Sequence, residues 1–285
     1  MTILNENYTL SNGVDIPKLG LGTWFIDDDK VAQVVRDAIE LGYRNIDTAQ
    51  AYGNERGVGE GIRTSGVARE DIFVSTKLAA EIKNYDDAAA AIDESLRKMG
   101  LDYVDLFLIH SPQPWADFRG GDYFEGNVEA WRALEDALKA GKTRAIGVSN
   151  FLQKDLENIF AHSTVTPHVN QMLVHVGNTP SELIQYCKDK DILVQAYSPI
   201  AHGKMLQNPQ VATVAEKYSV SVPQLCIRYT LQLDTQSLPK TGNKEHLATN
   251  AQVDFEISAE DMETLRTLDA KDYGEHTVFP VYSGK

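Results

Sequence analysis

Four side chains of complementary chemistry stand at the ends of three consecutive strand-like segments. Asp47 and Tyr52 follow residues 42–46, Lys77 closes residues 73–77, and His110 closes residues 104–110. Free tyrosine titrates near ~10, so a phenol is a poor proton donor at neutral pH. A buried cation beside it lowers that value and makes it a useful acid. Lys77, held by Asp47, is expected to keep its charge and to lower the pKa of Tyr52. Each unit of such a shift is worth about 1.4 kcal/mol. Tyr52 would then protonate an oxygen as it becomes anionic. His110, neutral at working pH, would orient and polarise the same oxygen. The set suits hydride addition to a carbonyl, which needs neither a nucleophile nor a metal. Singly, each residue also has a plain structural role: turn former, surface cation, loop anchor, strand-end histidine. Four together at consecutive strand ends make that combination of roles a weak explanation.

The elements that must carry them alternate. Residues 8–16 read as a hairpin around Asn12-Gly13. Residues 28–41 place Val31, Val34, Val35, Ala38 and Ile39 at helical spacing. Residues 104–109 form a nearly all-apolar strand, as a sheet covered on both faces requires. Helices are expected at 54–63, 86–99, 127–140, 180–190, 209–218, 223–233 and 259–268, and an irregular aromatic tail over 273–285. Eight strand–helix alternations imply a parallel α/β sheet and suit a closed (β/α)8 barrel. In such a barrel the C-terminal strand ends face the active site. An open doubly wound sheet would show G-x-G-x-x-G opening a helix. Gly20-Leu21-Gly22 lacks the third glycine, and 57–61 has the wrong spacing.

Composition narrows the function further. The 285 residues, with no linker-like stretch, read as a single domain over 1–285. A formal charge of −14, from 27 Lys+Arg against 41 Asp+Glu, argues against nucleic acid or an anionic membrane as partner. No stretch approaches the ~18 apolar residues of a membrane span. No charged segment followed by an apolar run opens the chain, so a cytoplasmic protein is expected, as a monomer. Cys187 and Cys226 have no metal-ligand spacing and read as buried thiols. H-E-x-x-H, C-x-x-C, G-x-S-x-G and Walker patterns do not occur, and no metal is expected. Tyr186 and Lys190 match Y-x-x-x-K, but without an upstream glycine fingerprint.

Over nearly its whole length the chain resembles the aldo-keto reductases. Residues 20–24, 42–55, 74–77, 101–110, 141–151, 170–171, 196–199 and 238–241 carry the resemblance. It implies a TIM barrel with the hairpin over its bottom and an extended NADPH across its top. It also implies Tyr52 as proton donor, supported by Asp47, Lys77 and His110. By the same resemblance Ser149, Asn150 and Gln171 hold the carboxamide, and Tyr197 stacks on the nicotinamide. Ser198, Pro199 and Ile200 belong to the pyrophosphate loop. Lys240 and Thr241 meet the 2′-phosphate, and Asn250 the adenine. Gly22, Thr23 and Trp24 complete the cofactor set. There are three departures from the family pattern. Ser111 stands where a tryptophan often follows the histidine. Leu173 and His175-Val176 replace a glutamate and His-Pro. His246 stands where an arginine is usual, so NADH is expected to be used beside NADPH.

The expected function is NAD(P)H-dependent reduction of aldehydes and activated ketones, including dicarbonyls and keto-sugar acids. An aromatic substrate pocket is expected from Trp24, Tyr52, His110, Trp115, Phe279 and Tyr282. A second reading from another class is an NADPH-binding redox sensor on the same fold, which would have less need of Tyr52 and Lys77.

Overall fold

The chain is described by a computed structural model covering residues 2–284. Met1 and Lys285, the ends of the expected domain and tail, lie outside the described residues. A hairpin of β1 (Asn7–Thr9) and β2 (Asp15–Pro17) precedes eight parallel strands. These are β3 (Leu21–Gly22), β4 (Asn45–Asp47), β5 (Phe73–Leu78), β6 (Val104–Ile109), β7 (Thr143–Ser149), β8 (Val169–Leu173), β9 (Leu193–Tyr197) and β10 (Gln236–Leu238). They pair in sequence order. The two ends of the sheet meet: Leu19 bridges Ser237 and Gly22 bridges Lys240, both in parallel. The barrel is therefore closed. Gly20 makes that seam possible, since a Cβ there would lie 2.7 Å from Leu238 Cδ2.

The helices are α1 (Asp28–Glu40), α2 (Glu55–Arg63), α3 (Tyr85–Met99), α4 (Phe124–Lys139), α5 (Gln153–His162), α6 (Ser181–Asp189), α7 (Pro209–Lys217), α8 (Val222–Gln232), α9 (Lys244–Asn250) and α10 (Ala259–Thr267). α1 buries Val31, Val34, Val35, Ala38 and Ile39, the spacing read from sequence, and places Asp28 and Asp29 in its first turn, where the helix dipole favours negative charge. α3 starts on Asn84, whose side chain accepts from Asp87 N, and ends on Gly100 in the left-handed region. The glycines of α2 serve close packing. A Cβ at Gly57 would meet Asp28 O at 2.2 Å, and one at Gly59 would meet Met99 O at 2.0 Å.

Two hydrophobic layers follow from strand alternation. Phe107, Ile109, Ile146 and Val148 point outward into a cluster shared with Val31, Val35, Ile92 and Trp131. Leu106, Leu108, Ala145 and Val169 point inward and join Leu10 and Ile16 of the hairpin. The hairpin thus plugs the lower end of the barrel. Its turn is a three-residue loop rather than a two-residue Asn-Gly turn: Leu10 N donates to Val14 O at 2.9 Å, and only Gly13 takes positive φ there. α4 starts at Phe124, three residues before the expected position. Asn127 lies in its first turn, where its side chain grips the preceding loop.

Asp105 is the polar exception in the apolar β6, and it is fully buried. It accepts from Arg69 Nη2 and Arg144 Nη1, each at 2.8 Å, and from Val74 N at 2.9 Å. Removing it takes a charged acceptor from two guanidinium groups and an acceptor from a backbone N–H. Asp105→Ala is expected to cost about 3 kcal/mol, read as a lower urea midpoint at unchanged m-value; a midpoint within error of wild type would mean the pair contributes nothing.

Candidate active site

At the upper end of the barrel the strand alternation that packs the interior also aims polar side chains inward. Asp47 ends β4, Lys77 lies in β5, and His110 follows β6. Tyr52 sits on a short 3-10 turn, Gln50–Tyr52, directly after β4. Lys77 is completely buried. Its Nζ donates to Asp47 Oδ2 at 2.6 Å, Thr48 O at 2.8 Å and Tyr52 Oη at 3.3 Å. All three ammonium hydrogens thus have acceptors. The Tyr52 and His110 rings meet edge to face at 5.6 Å. His110 has its pKa pushed well below the usual imidazole range, by burial first and by the Lys77 charge second. It is therefore neutral, as expected from sequence.

The expected direction at Tyr52 is not what the structure gives. Burial, and then the negative charge of Asp47, push its phenol well above 10. The expectation that Lys77 lowers it neglected these two effects, which act in the opposite sense. The resting phenol is firmly protonated.

These groups open into a cleft of about 1090 Å³. It is lined by Gly22, Thr23, Trp24, Ser149, Asn150, Gln171, Tyr197, Ser198, Pro199, Ile200, Lys240, Thr241, His246 and Asn250, together with Asp47, Tyr52, His110, Trp115 and Phe279. Nearly all the residues named from sequence are brought together. Lys77 lies behind the wall. Tyr282 is a correction: it does not line the cleft but is fully buried, and its hydroxyl lies 2.6 Å from Ser198 Oγ. It packs in a core with Tyr273, Leu265 and Tyr229. Lys244, which lies between Thr241 and His246 in the chain, turns away and pairs with Glu40 at 2.7 Å and Asp37 at 3.5 Å.

The aromatic wall is continuous. Trp24 stacks on Tyr52 at 6.2 Å and meets Phe279 edge-on at 5.2 Å, and Trp115 meets His110 at 5.0 Å. Sequence reasoning missed Phe25, His202 and His276, which join this wall from irregular segments. The long loop after His110 is held by Lys83 and Asn127. Lys83 Nζ donates to Ser111 O and Asn127 Oδ1, each at 2.8 Å, and Asn127 Nδ2 donates to Pro112 O at 2.9 Å. Burial pushes Lys83 down to about 7.

Beside His110, Asn150 takes a left-handed backbone with φ of 62°. Its amide donates to His110 O and accepts from the Tyr197 hydroxyl at 2.8 Å. The loop after β9 is strained, with Ser198, Ala201 and His202 all at positive φ. The tail braces that loop through Tyr282. Lys240 is the one lysine or arginine among the described residues of the lining. No group of three or more His, Cys, Asp or Glu that could hold a metal occurs among the described residues. No helix among them is long and apolar enough to cross a membrane.

A closed parallel barrel with this carboxylate, lysine, phenol and imidazole at its upper end defines a class of oxidoreductase, and comparison with known proteins agrees. The model of the Aldo/keto reductase family matches residues 18–270, and the chain belongs to that family. It is 41% identical over 269 residues to a glyoxal reductase of Bacillus subtilis, covering 94% of each chain. Among solved structures, an aldo/keto reductase of Brucella melitensis superposes with a TM-score of 0.86 at 38% identity, covering 94% of this chain and 99% of that one. An aldo-keto reductase of Bombyx mori, solved in complex with NADP, gives a TM-score of 0.84 at 35% identity, covering 93% and 92%.

The tail should matter for stability as well as for the cleft. His175 Nδ1 lies 2.6 Å from Val176 O and must donate to it, so Nε2 accepts from the Tyr273 hydroxyl at 2.8 Å. Burial holds the His175 pKa down, to about 4. The folded state therefore binds fewer protons than the unfolded one between the ordinary imidazole value and about 4. This anchor is fully present above the ordinary value and is lost as pH falls through about 4. Tyr282→Ala is expected to cost about 3–4 kcal/mol and to shift preference between aromatic and small aldehydes. Urea unfolding and a ratio of two kcat/KM values check it; unchanged stability would place Tyr282 outside the core.

Proposed function

We propose that the chain reduces aldehydes and activated ketones to alcohols with NADPH, and that Tyr52 supplies the proton. The observation that carries this reading is the contact of the Lys77 ammonium with both Asp47 and the Tyr52 hydroxyl at the wall of one large cleft. The donor set fits a nicotinamide dinucleotide. Ser149, Asn150 and Gln171 offer hydroxyl and amide groups beside His110, Tyr197 offers a ring face, and Lys240 with Thr241 offers a charge and a hydroxyl further along. When bound, the coenzyme supplies the hydride.

The chain's own residues do the rest. His110, neutral and buried, is placed to donate a hydrogen bond to the substrate oxygen without carrying charge. Tyr52 holds a proton that leaves only when a stronger base, the alkoxide, forms beside it. Lys77 then stabilises the resulting phenolate, a charge that grows in the transition state and is absent before it. The high resting pKa of Tyr52 suits this timing. Trp24, Phe25, Trp115 and Phe279 give the reacting end an apolar wall. No lysine or arginine lines that end among the described residues, which favours neutral carbonyls and dicarbonyls over keto-sugar acids. The two cysteines, Cys187 and Cys226, are buried and unbridged, and burial pushes their thiols up to about 11 and about 12.

Tyr52→Phe is expected to lower kcat by about 10²–10⁴-fold with NADPH affinity nearly unchanged, by fluorescence titration. Near-normal turnover would sink the mechanism. Lys77→Met should lower kcat and move its pH profile, and an identical profile would remove Lys77 from this role. His246 is exposed at the far end of the cleft, where arginine would grip a phosphate with a permanent bidentate charge. With Lys244 paired elsewhere, Lys240 and Thr241 are what remains to meet the phosphate, so NADPH is favoured by less than an arginine would give. His246→Arg should lower KM for NADPH and leave that for NADH unchanged; an equal response of both coenzymes would show that this position does not read the 2′-phosphate.

A further inference from the structure

Beneath Asp47 the barrel interior carries three glutamines on neighbouring strands. The register sets Gln171 of β8 opposite Gln195 of β9, and Gln195 opposite Gln236 of β10. All three are buried. Gln236 Nε2 donates to Pro17 O at 2.5 Å, and Gln195 Nε2 donates to Gln236 Oε1. Gln171 Nε2 donates to Gln195 Oε1 at 3.0 Å and to Asp47 Oδ1 at 2.9 Å. The row runs from the backbone of the hairpin to the carboxylate that holds Lys77.

Its direction is forced by its ends. A backbone carbonyl can only accept, and so can an ionised carboxylate. Pro17 O therefore takes the NH2 of Gln236, which turns Gln236 Oε1 toward β9. Gln195 must answer with its own NH2, and its oxygen then faces Gln171. Gln171 meets an acceptor on two sides, so both hydrogens of its NH2 are used. Its oxygen is left without a donor among the described residues, on a side chain that lines the cleft. Turning any one amide would bring two oxygens or two NH2 groups face to face in a dry interior, where unpaired polar groups are costly.

We infer that Gln195 and Gln236 are positioning residues that lock the Gln171 amide with its oxygen toward the cleft, so that the site selects a coenzyme bearing an NH2 donor on its pyridine ring. This rests on reading the cleft as the coenzyme site. The hairpin under the barrel is then part of coenzyme recognition, although it lies at the opposite end of the molecule.

The test compares NADP⁺ with its 3-acetylpyridine analogue, in which methyl replaces the carboxamide NH2 and the carbonyl is kept. Dissociation constants are measured by calorimetry on the intact chain, with no turnover. The wild type should bind NADP⁺ about fivefold more tightly than the analogue, the usual net effect of one hydrogen bond. Gln236→Leu, at a residue that does not line the cleft, should bring that ratio close to one, as should Gln195→Leu. A wild-type ratio retained in either folded variant overturns the inference. If neither variant folds, side-chain amide proton exchange in the wild type decides. The NH2 groups of Gln195 and Gln236 should exchange far more slowly than free amides, and exchange at the free rate overturns the inference equally. Failure of the wild type to bind either dinucleotide would sink the coenzyme reading itself, whereas tight binding with an unmoved ratio sinks only the glutamine row.

Discussion

The structure depends on one buried ammonium. Lys77 lies inside the barrel with no exposure, and a charged lysine there is tolerable only if every hydrogen finds an acceptor and an opposite charge stands beside it. Asp47, the Thr48 carbonyl and the Tyr52 hydroxyl meet that demand together. Burial pushes the Lys77 pKa down, and Asp47 offsets only part of that. Asp47 in turn is steadied on its other oxygen by Gln171, and its backbone carbonyl accepts from Thr23 N and Oγ1. This arrangement is thus the solution to a solvation problem, and that solution ties β3, β4, β5 and β8 together.

The demand explains why so much of the upper site is readable from sequence. Asp47, Tyr52, Lys77 and His110 sit where apolar strands stop, and a charge at the end of a covered strand is conspicuous. Eight alternations of strand and helix are equally plain, because 2.0 and 3.6 residue periods differ sharply. The glutamine row was less visible for a physical reason. Gln195 and Gln236 come together through strand register, which composition and spacing do not reveal. A signal was nonetheless present, since Gln171 and Gln195 each stand inside a strand that should be apolar on both faces.

The sign of the Tyr52 shift shows a different limit. Sequence supplies the charges near a group but not its burial, and at Tyr52 burial is the larger effect. Tyr282 fails for a related reason: an aromatic in an irregular tail can face a cleft or a core, and packing against Tyr273, Leu265 and Tyr229 decides for the core. Lys244 was drawn away by Glu40 and Asp37 on α1, more than two hundred positions earlier in the chain.

The hairpin that plugs the barrel makes its two ends unlike. Leu10 and Ile16 close the lower end in an apolar cluster with Leu106, Leu108, Ala145 and Val169, while the reacting groups stand at the wall of the cleft above. In the proposed reaction that cleft is the mouth through which carbonyl and alcohol pass, and it is also where the Tyr52 hydroxyl faces. Traffic of substrate and traffic of protons would then share one doorway.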